Sequence, residues 1–333
     1  MLVEGAHTRG DWSSGPPRGR RVGARRYDPA VHATDTPLET TLRPVLPVDL
    51  RLTLGPLRRG SDPSFLVERS GAWWRATRTP HGPATARYAV QAGTVSVRAW
   101  GPGAPWCLET AGELLGGRDR LDGFEPLGLV RELHRRLPGL RISRSRAVFE
   151  ALVPSILEQK VTGQEARASY RALVRAWGAA APGPAPLLLP PGPEALAVRA
   201  YWEFHPLGVE RKRATTIRAA ATRAARLEEA AGLPGQAARL RLQAVPGVGP
   251  WTAAEVAIVA LGDADAVSVG DYHLPNTVAW ALAGEPRGTD ERMLELLEPY
   301  AGHRGRAARL LTLSGLHAPR FGPRAPLRAI RTI

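Results

Sequence analysis

The residues of this chain best suited to chemistry lie between Leu242 and Ala283: a glycine-rich turn, Pro246-Gly247-Val248-Gly249-Pro250, and, about twenty residues on, a carboxylate, Asp271. Glycine tolerates a positive φ and lets another backbone come close. Pro250 suits the first turn of a helix, where no N–H is needed. A helix starting there offers unpaired N–H groups, from Trp251 and Thr252 onward, and the positive end of its dipole. A phosphate can rest against such donors. Backbone donors ignore base identity, so the turn would hold DNA without reading it. The same five residues also suit a tight turn between two helices. Asp271, in the run VSVGDYHLPN, has two readings as well. It suits the N-cap of the next helix. Beside a DNA backbone it is also a fixed anion, able to stabilise positive charge at an anomeric carbon as a base departs and to orient or deprotonate water. One carboxylate suffices when the leaving base is already cationic, as an N-alkylated purine is.

Composition narrows the field. Cys107 is the single cysteine, which excludes an intrachain disulfide, a zinc site built on thiolates and a four-thiolate iron–sulfur cluster. The formal charge is +14, and Lys160 and Lys212 are the only lysines among 45 basic residues. Such a balance favours a polyanionic partner, through counterion release; an arginine-rich coding bias would produce it too. With 333 residues, 44% of them hydrophobic, the chain can fill two ordinary domains. No apolar run of about 18 residues suggests a membrane span. The opening MLVEGAHTRGDWSSG lacks the apolar centre of a signal peptide, so the expected location is cytoplasmic.

The elements that must position the turn and the carboxylate fall into two blocks. Residues 1–45 are rich in Gly, Pro, Arg and Thr without apolar period, which predicts a disordered arm. Residues 46–125 read as a small antiparallel sheet. Val48, Leu50, Leu52 and Leu54 alternate, as do Val95, Val97 and Ala99, with FLVER, AWWRATR and ATARYAVQ between them. Trp73, Trp74 and Trp100 fit its core better than an exposed stacking surface. A helix is expected from Trp106 to Leu115. From 126 to 318 the period is helical. LGLVRELHRRL and the run from Arg144 to Gln159 are amphipathic, the second interrupted by Pro154. Thr162 and Glu165 form a capping box opening a helix to Trp177. Later helices are expected over 194–200, 210–231, 236–244, 250–261, 273–283, 289–299 and 303–314. Residues 319–333 make a basic tail. The fold class is therefore α+β: a mainly α-helical body behind a small N-terminal antiparallel sheet domain.

The run LQAVPGVGPWTAAEV followed by GDADAVSVGDYHL closely resembles the helix-hairpin-helix, Gly/Pro…Asp superfamily of DNA glycosylases. Within it the chain is most similar to the bacterial 3-methyladenine DNA glycosylase II, or AlkA-type, group. The resemblance spans roughly 46–318 and implies a sheet domain joined to a helical body. It places the catalytic aspartate on Asp271 and the DNA-backbone contacts on Pro246 to Pro250 and Thr252. It also implies that hairpin carbonyls can hold a structural Na+ or K+, with no other cofactor required. Bifunctional relatives carry a nucleophilic lysine two residues after the second hairpin glycine. Here that position is Trp251, and a Schiff base needs an amine. Iron–sulfur relatives need four cysteines.

The resemblance thus implies a monofunctional enzyme of base excision repair, a monomer acting on double-stranded DNA that contains alkylated purines. Extruding a nucleotide requires a pocket and a residue to refill the gap. Trp251 and Tyr272 match the group's aromatic pocket positions, though either suits a core, and Gln159 and Lys160 are the wedge candidates or ordinary surface residues. Three departures bear on substrate range: Lys160 where the wedge is commonly apolar, Glu255 where a pocket aromatic is expected, and no clear aromatic near Thr312. The competing readings are a non-catalytic DNA-binding module and an oxidised-base (8-oxoguanine-type) glycosylase.

Overall fold

The β-branched, alternating sequence is confined to the first third of the chain and the amphipathic helices to the rest. The structure, a computed structural model, describes residues 36–319. The arm up to residue 35 and the tail from 320 lie outside the described residues.

Five antiparallel strands, β1 (Leu38–Leu42), β2 (Phe65–Val67), β3 (Trp73–Thr79), β4 (Gly82–Gln91) and β5 (Thr94–Trp100), form one sheet in the order β1-β5-β4-β3-β2. Strand side chains alternate between faces. Ala84, Ala86 and Tyr88 of β4 and Val95, Val97 and Ala99 of β5 therefore bury one face against Cys107, Ala111 and Leu114 of the helix Ala104–Leu114. Trp73, Trp74 and Trp100 are buried, and Trp74 stacks on Trp100 with ring centroids 5.0 Å apart.

Two expectations for this region fail. The arm drawn to residue 45 ends too late, because β1 pairs with β5 from Leu38↔Ala99 to Leu42↔Val95. It is an edge strand whose residues are largely exposed, so it carries no apolar alternation to betray it. The alternating Leu50, Leu52 and Leu54 form a short helix, Leu50–Leu54, not a strand. Asp49 caps it by accepting the Leu52 N–H at 3.0 Å. Leu50 and Leu54 enter the sheet core while Leu52 enters a helical core with Val130 and Leu310. Burial on two sides, not pleating, produced the alternation.

In the helical body the capping box holds as expected: the Thr162 N–H donates to Glu165 Oε2 at 2.9 Å, and the helix runs Gly163–Trp177 to Gly178. Pro154 lies inside the helix Val148–Leu157. That helix lacks its own capping side chain; the Glu228 carboxylate accepts from the N–H groups of Val148 and Phe149 at 2.9 and 2.8 Å. The single helix expected over 210–231 is broken into Arg211–Ala221 and Ala224–Glu228, followed by a 3-10 turn, Glu229–Gly232. The break delivers Glu228 to that cap. The Pro-rich stretch between this body's helices at Trp177 and Pro193 contains a two-residue strand pair, Ala179–Ala180 with Leu188–Leu189.

Sheet and body are joined by buried charge. Arg75 of β3 donates to Glu150 of the helix Val148–Leu157 at 2.7 Å, and the Thr77 hydroxyl donates to the other Glu150 oxygen at 2.7 Å. Arg306, fully buried in the helix Arg304–Leu313, pairs with Asp119. Removing one partner of such a pair would leave an uncompensated buried charge. Among the described residues no helix is long and apolar enough to cross a membrane.

Candidate active site

The helix Gly235–Gln243 ends before the turn, and the helix Pro250–Val256 begins at Pro250. Val248 is buried in the body core, and its N–H closes the turn on the Val245 carbonyl at 3.0 Å. The two glycines differ. Gly247 has φ +90°, and a Cβ there would lie 2.2 Å from Thr216 Oγ1. Its conformation and its space both demand glycine. Gly249 has φ −96°, and a Cβ there would meet nothing within 4 Å. Nothing inside the described chain requires a glycine at 249; the open side faces outward, where a partner backbone could approach.

Beyond Val256 the helix loosens into a π turn, Ala257–Leu261, ending at Gly262 with φ +73°. There the Val259 and Ala260 carbonyls accept from the N–H groups of Ser145 and Arg146, distant in sequence. The loop that follows leads to Asp271 and is pinned at several points. Arg304 donates to Asp265 in a two-pronged contact, Ser268 donates to Glu255, and the Gly270 N–H donates to Asp290 at 2.9 Å.

Asp271 takes the helix-capping role expected of it and makes a second contact through its other oxygen. Oδ1 accepts the N–H groups of His273 and Leu274 at 2.8 Å each, at the start of the helix Leu274–Ala283. Oδ2 accepts the indole N–H of Trp251 at 3.0 Å. One oxygen is held as a helix cap, and the other is aimed by the first side chain of the hairpin helix. The helix end fixes the carboxylate, and among the described residues no cationic side chain pairs with it.

One helical turn beyond Trp251, Glu255 shares its face of the helix. Burial raises its pKa, the Ser268 hydroxyl and the Arg59 charge pull it down, and the charges of Glu158 and Asp271 push it up again. Arg59 is itself paired with Glu158 at 3.1 Å. Burial draws Arg309 down to about 10, opposed by the charge of Glu255. Arg309 also donates to the Leu52 carbonyl of the sheet-linking helix.

The structure redistributes several expected roles. Pro246, Gly247 and Pro250 are exposed on the turn. Val248 and Thr252 are not: Val248 anchors the turn, and the Thr252 hydroxyl is turned inward to accept from Gln159 Nε2 at 2.8 Å. Gln159 also donates to the Gly247 carbonyl at 3.0 Å, so one wedge candidate is a tether of the hairpin. Lys160 beside it is exposed, with φ +54°. Trp251 and Asp271 are brought together, but Tyr272 is 85% exposed with its ring against His273 and lines no enclosed pocket with Trp251. Arg213 is buried and donates to the Leu157 carbonyl, leaving Arg211 and Lys212 as the outward cations of that run.

No protein-family model matches the chain. Solved structures do. The 3-methyladenine DNA-glycosylase from Archaeoglobus fulgidus superposes with a TM-score of 0.69 at 21% identity, covering 82% of this chain and 97% of that one. The apo 8-oxoguanine glycosylase/lyase of Clostridium acetobutylicum gives 0.65 at 14% identity, covering 84% and 98%. These neighbours are helix-hairpin-helix DNA glycosylases, and the chain has their α+β fold. In sequence, 149 residues are 34% identical to the "Probable bifunctional transcriptional activator/DNA repair enzyme AlkA" of Mycobacterium tuberculosis, 44% of this chain and 29% of that protein. The chain thus spans less than a third of the length of the curated relatives it matches.

Proposed function

We propose that the chain is a monofunctional DNA glycosylase that flips alkylated purines of the 3-methyladenine type out of duplex DNA and hydrolyses their N-glycosidic bond. The observation that carries the reading is the hydrogen bond from Trp251 to Asp271, which ties the exit of a phosphate-suited turn to an aimed carboxylate. The hairpin N–H groups hold the strand by its backbone. The flipped base stacks on Trp251, where an electron-poor ring gains cation–π attraction. As the bond from C1′ breaks, its electron pair leaves with the base, and Asp271 stabilises the positive charge left on the sugar. A water oriented by the same carboxylate adds to C1′ through its oxygen and gives its proton to Asp271. Lys160, exposed and in a conformation unusual for a non-glycine residue, is the side chain free to enter the vacated stack.

The carbonyls of Pro246 and Val248 have no donor among the described residues, so oxygen ligands suited to a monovalent cation are present in the turn. A bound Na+ or K+ would stiffen it. The enzyme on this reading acts as a monomer on cytoplasmic, nucleoid-associated DNA. Trp251 stands where an oxidised-base glycosylase with lyase activity needs an amine, which speaks against that alternative.

The test is base release from duplexes holding 3-methyladenine, 7-methylguanine, hypoxanthine or ethenoadenine, with borohydride added in parallel. Release without a trapped covalent complex is expected. No release of any base sinks the proposal, and a trapped complex would favour the lyase.

A further inference from the structure

Glu255 is an acidic side chain near Asp271 that the mechanism above does not use. Its position is set from three sides. It follows Trp251 by four residues on one helix, so the two side chains share a face. Its Oε1 accepts from Ser268, on the loop that leads to Asp271. The charge of Asp271 acts on it, with Arg59 and Arg309 as the opposite charges coupled to it. The second oxygen, Oε2, takes no hydrogen bond from the described residues, and it is not among the oxygens sealed from solvent. A carboxyl held by one oxygen, with the other presented beside a catalytic carboxylate, is built like a recognition group.

We infer that Glu255 is a specificity-determining residue, whose free oxygen accepts an N–H from the Watson–Crick edge of the flipped base. This rests on the glycosylase reading. A helical turn, about 5.4 Å, separates Trp251 from Glu255 along the helix, comparable to the reach of a purine from its glycosidic nitrogen to that edge. With the glycosidic bond at Asp271 and the ring on Trp251, that edge meets Glu255. A carboxylate only accepts. It therefore selects purines with an N–H there: 7-methylguanine through N1–H and its amino group, 3-methyladenine through its amino group, hypoxanthine through N1–H. Ethenoadenine, whose edge is closed by the etheno bridge and bears no N–H, leaves the carboxylate unpaired in a desolvated cleft and is rejected. The aromatic expected at this position from the sequence would stack and make no such distinction.

The test is single-turnover release from the full chain on duplexes with one 7-methylguanine, hypoxanthine or ethenoadenine, each measured against its spontaneous rate. The proteins are the wild type, Glu255→Gln and Glu255→Leu, with melting and duplex binding recorded for each. The wild type is expected to release the two N–H-bearing bases in preference to ethenoadenine. Glu255→Leu should slow those two by about 10- to 100-fold and leave ethenoadenine equal or faster, with Glu255→Gln intermediate. Equal slowing of all three bases would overturn the inference, since it is what loss of the Ser268 tether alone would do. Unchanged rates would overturn it too. A wild type that releases nothing overturns the glycosylase reading itself, and is seen before any variant is made.

Discussion

The turn and the side-chain cluster after it adjoin the same seven-residue helix, Pro250–Val256, yet they are made of different material. The turn is backbone: Gly247 and Gly249, whose N–H groups find no acceptor among the described residues, Val248 sunk into the core, and Gln159 bracing it from the neighbouring helix. The cluster is side chain: Trp251, Glu255 and Asp271, each fixed by a named hydrogen bond. Backbone donors cannot tell one base from another, whereas a ring face and an acceptor oxygen can. On the proposed function the two parts divide the work: the turn sets the strand in register, and the side-chain cluster chooses and removes the base. The two glycines repeat the contrast on a smaller scale, one required by the fold and the other by nothing within the chain.

Each part can be broken separately. The largest effect is expected at Asp271. Asp271→Asn keeps an oxygen for the His273 and Leu274 N–H groups and so keeps the cap, but it removes the charge. Single-turnover base release should fall by about 10²–10³-fold with the melting temperature nearly unchanged. Next is Gly247→Ala, which forces a left-handed conformation and a contact with Thr216. It should lower unfolding free energy by about 2–4 kcal/mol, read in a denaturant titration. Gly249→Ala should leave stability within about 0.5 kcal/mol. It should weaken binding to undamaged and damaged duplex alike by about 3- to 10-fold, measured by fluorescence anisotropy at fixed salt. The smallest effect is Gln159→Ala, which frees the Gly247 carbonyl and the Thr252 hydroxyl. A loss of about 1 kcal/mol in stability is expected, with a slight weakening of duplex binding.

Much of this arrangement was legible in the residues because local chemistry decided it. Thr162 and Glu165 announced a capping box, and Pro250 a helix start, and both follow from hydrogen bonds within a few residues. What was illegible depended on distant partners. Leu38–Leu42 became a strand because β5 offered an edge. Leu50, Leu52 and Leu54 became a helix because two cores lie on either side of them. The helix expected over 250–261 turned π at its end because Ser145 and Arg146, far away in sequence, claim two of its carbonyls. The candidate site shows the same split. Asp271 was singled out by its place after the turn and Trp251 by the resemblance, and the structure adds the hydrogen bond between them. Thr252 and Gln159 were assigned outward roles that their mutual contact rules out for the Thr252 side chain and reshapes for Gln159. Ser268 and Arg309 gave no signal at all. Glu255 was marked by the resemblance, at a position where a pocket aromatic is expected, and it falls four residues after Trp251.

The division of labour is tested most directly by measuring binding and chemistry separately in two variants of the full chain. Duplex affinity and the single-turnover rate of the saturated complex would be determined for Gly249→Ala and Asp271→Asn on a 7-methylguanine duplex. The account predicts a crossed result. Gly249→Ala loses affinity at an unchanged rate, and Asp271→Asn loses rate at an unchanged affinity. If both variants lowered the same quantity, or if Asp271→Asn released base at the wild-type rate, the account would be wrong.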